Sequence, residues 1–464
     1  METTKQLPPP ATAATFTPSQ PWRGTFLTGV AEILDRLAET CLHPVIVLPL
    51  FFAAASSSAS EVGRAIAIVL GIAAIAGVLS APLAGDRWPR ARLLALIVAT
   101  GLAGLLLLVL GRAGGWLTDQ RDALTGRPLL ILAVIGGCLG VGATLRPALA
   151  RITRPDGSWR TRWGRWLLVG IVGTVLGGFV ARGPAAKLAE PFPAGFTSLF
   201  ATAGGALIVA FVVLIALLAL GWQSRAGGIP ARTDLLAIPE LLANNLAYGR
   251  FVFFRALYAC GALADPFYII YAVRELGATG HNIALYIVAL VIARAVGAFI
   301  WRGLSIGAGN PLVLQLTTFV RLLAPITALT LPPLLGSAAL RDRLPGGDAT
   351  SLFAFGLVFV AWGVASAGID LAAPAIQTAL TTPRERIAAQ AVTGIVLALA
   401  MLALPLGGLI VDRLGFSFLF IAALLVGMGT LLAGGLIDEP GVLVLRAAPN
   451  ERPMLRRRSA RREG

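Results

Sequence analysis

A set of eleven ionisable side chains lies within stretches of this sequence that are otherwise apolar. Five are carboxylates, five are arginines and one is a histidine. Because an isolated charge is costly in apolar surroundings, such groups face a cavity or pair with one another. Carboxylates and histidine bind protons, and guanidinium groups bind anions. The eleven residues are Glu32, Asp35, Arg36, Glu39, His43, Arg146, Arg255, Asp265, Arg294, Arg321 and Asp370.

The first apolar stretch carries five of these groups. At about 100° per residue they fall within a sector of roughly 100° on one helical face. This stripe predicts a cavity wall that binds protons or a cationic group. The alternative interpretation places Glu32, Asp35 and Arg36 in an amphipathic lead-in at lipid headgroups, so that only Glu39 and His43 are embedded.

A second group is centred on Asp265, which shares a predicted helical face with Arg255 and Tyr258. Pro266 follows the acid directly, and proline removes a backbone donor and loosens a helix. We therefore expect Asp265 to be the main proton-binding residue, with Glu39 and His43 as alternatives.

The remaining charges differ in their predicted depth. Arg294 and Arg321 lie near the middle of their stretches, and we expect them to line the same cavity and to face Asp265. A second set lies near the predicted inner ends, where pairing with one another or extension to the headgroups would satisfy them. These inner-end charges are Arg146, Arg255 and Asp370.

The elements that position these residues are membrane-spanning helices. Of the 464 residues 57% are hydrophobic and only 13% are charged, and the mean hydropathy is +0.81. A soluble domain carries about 25% charged residues. This composition excludes a disordered, collagen-like or disulfide-rich chain. About twelve stretches reach the roughly 20 apolar residues needed to span a bilayer, which predicts an all-α polytopic membrane protein.

Several other chemistries are excluded. The three cysteines lie in apolar stretches and the two histidines are far apart, so we expect neither a metal site nor a disulfide framework. Nucleotide-binding glycine loops, paired acidic metal ligands and a serine–histidine dyad are absent from the sequence. We therefore expect no enzymatic activity and no cofactor.

The net charge of +15 comes largely from arginines in short loops and in the C-terminal tail. This distribution is typical of contacts with anionic headgroups, so the bilayer and not nucleic acid is the expected partner. The predicted inner loops and tails hold more than twice as many basic residues as the outer loops. By the positive-inside rule, both termini are expected in the cytoplasm, and the chain in the inner cell membrane.

The two halves of the chain resemble each other. His43-Pro44 is matched by Asp265-Pro266, Arg146 by Asp370, and the glycine pair 177–178 by the pair 407–408, all in the same order. A duplicated six-helix unit predicts two pseudo-symmetric bundles. The expected organisation is a disordered tail at 1–28, a six-helix bundle at 29–222, a cytoplasmic connector at 223–250, a second bundle at 251–437 and a basic tail at 438–464.

The loop after the second stretch resembles the signature of the major facilitator superfamily, which reads roughly G-x-L-A-D-R-x-G-R-R. Asp86, Arg87 and Arg90 match it, whereas both glycine positions are proline and Ile306 replaces the acid in the second half. The resemblance implies secondary transport of a small solute by two rocking bundles. It also implies a conformational latch at these three residues, for which positive-inside anchoring is the alternative.

Three functions stay open at this point. Proton-coupled transport of a small organic solute is the leading one, with export by antiport preferred because of the acidic stripe in the first stretch. The second is uptake of an anionic solute, with Arg294 and Arg321 clamping a carboxylate or phosphate. The third is a transport-inactive signalling or scaffold protein. A monomer is expected, and the substrate is not predicted.

Overall fold

A computed structural model describes most of the chain. The described residues form helices and no strand. They are residues 21–84, 89–112, 126–152, 159–189, 194–220, 238–335, 348–382 and 385–437.

Seven α-helices lie in the described residues of the N-terminal half, which covers 21–220. Four of them, α4 to α7, each run long enough to span a bilayer alone, as does α3. Their bounds are α1 Pro21–Cys41, α2 Val47–Ala55, α3 Ala59–Ser80, α4 Pro89–Arg112, α5 Arg127–Ile152, α6 Trp159–Ala186 and α7 Ala194–Ala219.

Nine further α-helices lie in the described part of the C-terminal half, which is residues 238–437 without 336–347 and 383–384. Two of its spans consist of consecutive shorter helices, α9 with α10 and α14 with α15. The bounds are α8 Ile238–Asn244, α9 Leu246–Cys260, α10 Asp265–Arg274, α11 Gly280–Ala308, α12 Asn310–Leu335, α13 Asp348–Leu380, α14 Arg386–Ala400, α15 Ala403–Leu414 and α16 Phe416–Gly434.

Eleven spans in the described part are long and apolar enough to cross a membrane. A twelfth helical region, α1 with α2, carries the charge stripe and is interrupted between residues 41 and 47. Together they correspond to the twelve predicted stretches. Helix α1 begins at Pro21 although the tail was predicted to reach residue 28, and α9 begins at Leu246, inside the predicted connector.

Large apolar side chains point outward from most spans. Val98, Leu105, Phe319 and Leu425 are each more than half exposed, and many others resemble them. In water this surface would be unstable, but lipid tails solvate it. The chain is therefore a multi-pass membrane protein.

The first and seventh spans are broken at matching places. Helix α1 ends at Cys41 and α2 begins at Val47, so His43 and Pro44 lie in the gap. Helix α9 passes through a 3-10 turn, residues 261–264, into α10, whose first two residues are Asp265 and Pro266. Proline lacks the amide hydrogen that continues a helical ladder, which explains both breaks.

The glycine pair of α6 allows two close helix contacts. A Cβ at Gly177 would lie 2.9 Å from the Cα of Leu37 in α1, and a Cβ at Gly178 would lie 3.0 Å from Val291 in α11. Gly177 thus packs inside its own half, whereas Gly178 packs against the other half. Small residues at such positions let helix backbones approach one another.

The glycine pair of α15 repeats this arrangement. A Cβ at Gly407 would lie 2.5 Å from the carbonyl oxygen of Leu263, in the seventh span, and a Cβ at Gly408 would lie 2.6 Å from the Cα of Ser60 in α3. The fifth span therefore contacts the first and eighth, and the eleventh contacts the seventh and second. This exchange of partners is a two-fold pseudo-symmetry, as the repeated sequence predicted.

Candidate functional site

Asp265 and Arg321 form a buried ion pair. Arg321 Nη2 donates to Asp265 Oδ2 at 2.8 Å, and the two side chains are 14% and 12% exposed. Asp265 is the first residue of α10, and Arg321 lies in the middle of α12. Arg321 was predicted as a partner of Asp265, and the geometry places it there.

The same arginine also holds the helix that precedes the break. Its Nη1 donates to the backbone carbonyl of Tyr258 at 2.7 Å, and its guanidinium carbon lies 4.3 Å from the centre of the Tyr258 ring. Arg321 thus joins the last turn of α9 to the first turn of α10. A cavity beside the pair, also lined by Thr318 and Thr430, has room for about one water molecule.

His43 reaches this region from the N-terminal half. Its ring meets the Trp362 ring of α13 edge to face, with centroids 5.3 Å apart. Trp362 in turn neighbours the Asp265 carboxylate. One indole therefore lies between the histidine of the first broken span and the acid of the seventh.

The charge stripe of α1 is internally paired. Arg36 donates to Glu32 at 2.9 Å and to Glu39 at 2.8 Å. Asp35 is almost fully buried and pairs with Arg146 of α5, which also lies 3.8 Å from Glu39. Arg146 was predicted to lie near the inner end and to pair with another charge there. Its partner, Asp35, lies in the first span.

The C-terminal half corrects one expected contact. Arg294 does not pair with Asp265; its Nη2 donates to Asp370 of α13 at 2.7 Å. Both lie on adjacent packed helices, so this pair forms locally. Arg255 of α9 lies near Asp370, and its buried Nε has no hydrogen-bond partner among the described residues.

Comparison with known proteins gives structural matches alone. No protein-family model and no curated sequence matches the chain. A variant of the nucleoside transporter NupG superposes with a TM-score of 0.64 at 12% identity, over 90% of this chain and 100% of the other. A POT family transporter in complex with 5-aminolevulinic acid gives 0.59 at 12%, over 90% and 97%. An auto-inhibited POT family peptide transporter gives 0.56 at 12%, over 92% and 97%.

The chain has the same fold as these solved transporters. This result agrees with the resemblance inferred from the loop after the second span and from the internal repeat. At 12% identity the likeness concerns the architecture, and it does not transfer the solutes of those proteins to this chain.

The signature loop of the major facilitator fold is only partly visible here. Asp86 and Arg87 lie outside the described residues. Arg90 is exposed near the start of α4, two residues before the buried Arg92, whose Nε donates to the carbonyl of Leu83 at 2.9 Å. The predicted latch at Asp86, Arg87 and Arg90 stays a prediction.

A different inter-half contact lies on the opposite side of this fold. We call the membrane side on which α2 ends and α3 begins the distal side, and the side on which α1 begins the proximal side. Asp412, near the end of α15, accepts hydrogen bonds from Ser58 Oγ at 2.9 Å and from the backbone nitrogens of Ala59 at 2.8 Å and Ser60 at 2.9 Å.

Arg274 joins the halves beside it. Its two terminal nitrogens donate to the carbonyls of Ser57 and Ser56, each at 2.9 Å. These five hydrogen bonds close the distal side. Neither Asp412 nor Arg274 was predicted as functional. The serine run at 56–58 was the available signal, but a single sequence does not reveal which span ends meet.

Proposed function

We propose that the protein is a secondary active transporter that moves a small organic solute by alternating access and couples the movement to protons through Asp265. The observation that carries the proposal is the Asp265–Arg321 pair across the break in the seventh span. Ionisable groups buried at membrane depth are expensive, and they mark ion and substrate pathways.

Proton binding at Asp265 would change what holds the break. The ionised carboxylate attracts Arg321, which is anchored to the carbonyl of Tyr258 at the same time. A neutral Asp265 keeps the size of the carboxylate but loses most of that attraction. Because Arg321 then holds only the α9 side, α10 is free to tilt relative to α9. A proton can thereby be converted into a helix movement.

The conformation supports the alternating-access part of the proposal. The distal side is closed by Asp412 and Arg274. Arg36 and Glu39 in α1, and Asp370 in the proximal third of α13, remain 33%, 32% and 56% exposed at the side chain. Exposed charges at that depth require water, so the space between the halves opens to the proximal side.

Orientation and direction follow from the loop charges. With both termini on the cytoplasmic side of the inner membrane, the proximal side faces the cytoplasm, and the cavity is open to cytoplasmic solutes. Export by proton antiport, by a monomer, fits that arrangement. Uptake of an anion clamped by Arg294 and Arg321 is less well supported, because each of these arginines already holds a carboxylate.

The test uses purified protein in vesicles that contain a pH-sensitive dye. Pools of amino acids, nucleosides, sugars, organic acids and amines are added, and we expect one pool to drive proton movement. Asp265→Asn should abolish this proton movement while exchange of the labelled solute continues, because the neutral form is fixed. Glu275→Gln, at an exposed carboxylate, is the matched control.

Two results would contradict the proposal. Proton movement in Asp265→Asn at the wild-type rate would make the acid structural, and the coupling role would pass to Glu39 or His43. If none of the pools drove proton movement, the result would argue against solute transport itself.

A further inference from the structure

Among the ten charged side chains predicted at membrane depth, the two halves carry equal and opposite net charge. The N-terminal half contributes three carboxylates and two arginines, and the C-terminal half two carboxylates and three arginines. The halves thus have net charges of −1 and +1, and the total is zero. The N-terminal set is Glu32, Asp35, Glu39, Arg36 and Arg146, and the C-terminal set is Asp265, Asp370, Arg255, Arg294 and Arg321.

The surplus acid in the N-terminal half is Glu39. Asp35 is buried against Arg146, and Arg36 must serve both Glu32 and Glu39. Glu39 keeps a side-chain exposure of 32%, compared with 15% for Glu32 and 2% for Asp35. Glu39 is therefore the carboxylate that is most available to a cation entering the space between the halves.

The surplus arginine in the C-terminal half is Arg255. Asp265 is paired with Arg321, and Asp370 with Arg294, whereas Arg255 forms no ion pair in the part of the chain that the structure describes. The Nε of Arg255 is buried and has no hydrogen-bond partner among the described residues. A half-buried guanidinium whose buried Nε is an unused donor can bind an anionic group.

The two surplus groups border the same space. Arg36, which holds Glu39, is close enough to Asp370 for direct Coulombic attraction across the interface between the halves. Asp370 is in turn an electrostatic neighbour of Arg255 and is bonded to Arg294. The rings of His43, just after α1, and Trp362 in α13 are in contact, with centroids 5.3 Å apart. Glu39 in α1 and Asp370 in α13 lie on the proximal side of this contact. Glu39 thus marks an acidic wall in the N-terminal half, and Arg255 marks a basic wall in the C-terminal half.

We propose that the solute is a small zwitterion whose ammonium group binds at Glu39 and whose carboxylate binds at Arg255. This inference rests on the proposed transport function and gives it a substrate class. Because the ten charges sum to zero, a solute with a single charge would leave that charge unbalanced at membrane depth. A zwitterion satisfies both surplus groups and keeps the sum at zero.

Binding of such a ligand would also shift the conformational equilibrium of the protein. The two ends of the ligand touch different halves, so it binds better when the walls approach each other than when the proximal side is open. A ligand shifts a conformational equilibrium only by such a difference in affinity. A cation or an anion alone would contact one wall and would give little of this effect.

The test measures binding by thermal stabilisation of the detergent-purified full chain, which is independent of transport. Three matched pools are used: the protein amino acids, their N-acetyl derivatives without the ammonium group, and their amides without the carboxylate. We expect only the unmodified amino acids to stabilise the protein. Loss of either charge should weaken the apparent affinity roughly tenfold or more, because a charged hydrogen bond is lost.

Two single variants test which charged group of the solute each wall binds. Glu39→Gln should shift the preference towards the N-acetyl pool, and Arg255→Gln towards the amide pool. Glu275→Gln and Arg182→Gln, at exposed carboxylate and guanidinium groups, should leave the preference unchanged. Because the two variants predict shifts of opposite sign, a general loss of folding cannot imitate the result.

The outcomes separate this inference from the proposed function. Stabilisation by the N-acetyl or the amide pool alone, or by none of the three pools, would overturn the zwitterion. Selective stabilisation by amino acids without any flux in vesicles would support the site and contradict transport. Flux of a pool that contains no zwitterion would support transport and contradict the zwitterion site.

Discussion

The carboxylate of Asp412 lies 2.8 Å from the backbone nitrogen of Ala59, the first residue of α3, although the two residues belong to different halves. Ser58, the N-cap residue of α3, makes no capping hydrogen bond with its own side chain. Asp412 supplies this cap from outside. A carboxylate at a helix N-terminus accepts free amide donors and faces the positive end of the helix dipole.

Neutralising this cap should favour opening of the distal side. Asp412→Asn keeps the size but removes the charge, and we expect the closed state to lose about 1–2 kcal/mol. The measurement is the distance between spin labels placed at Arg64 and Leu414, with the native cysteines replaced. The distribution should broaden towards longer distances.

Glu61→Gln is the matched control for Asp412→Asn. Glu61 is a carboxylate on the same side of the membrane, but it accepts a hydrogen bond from Ser56 in its own half. It should leave the label distances unchanged. Equal distances in wild type and Asp412→Asn would mean that Arg274 and helix packing suffice to close the distal side.

The two glycine pairs should respond differently to alanine. Gly177 and Gly407 pack inside a half, so a methyl group there should destabilise the fold by about 1–3 kcal/mol. Gly178 and Gly408 pack between the halves, which can separate. Alanine there should lower the melting temperature less and should favour distal opening.

Gly170 provides the control for these alanine variants. It lies in α6, and a Cβ built there meets no atom within 4 Å. Gly170→Ala should therefore change neither stability nor the label distances. Equal melting temperatures for all five variants would contradict the assigned packing.

Membrane orientation can be tested by labelling single cysteines. With both termini in the cytoplasm, cysteines at Arg121 and Asp348 should react with an impermeant reagent in intact cells, and cysteines at Ser158 and Arg457 should not. Permeabilised cells serve as the control, since all four should then react. The reverse pattern would place the proximal side outside the cell and would reverse the proposed direction of transport.

Local sequence patterns predicted the helices and the loosened helix at Pro266, whereas the break at Pro44 was not predicted. Pro44 and Pro266 each remove a backbone donor, and the structure breaks the first and seventh spans at these points. Pairing across helices was less predictable. Helical periodicity placed Arg294 and Arg321 at similar depths, but the rotation and packing of α11, α12 and α13 decide that Arg321 meets Asp265 and Arg294 meets Asp370.

The distal contacts were beyond sequence reasoning for the same kind of reason. Asp412 and Ala59 are 353 residues apart, and their meeting depends on how two bundles are joined. The glycine pairs did indicate the internal repeat. They did not indicate that one glycine of each pair faces the other half.

The balance of five carboxylates and five arginines also determines how the membrane voltage acts on the protein. One elementary charge moved across 100 mV changes the free energy by about 2.3 kcal/mol. Because these ten charges sum to zero, the unloaded cavity can change from facing one side of the membrane to facing the other with little net electrical work. The same holds for a cavity that is loaded with a zwitterion. Protonation of Asp265 adds one positive charge. Any electrical current through the protein would therefore be carried by protons and not by solute molecules.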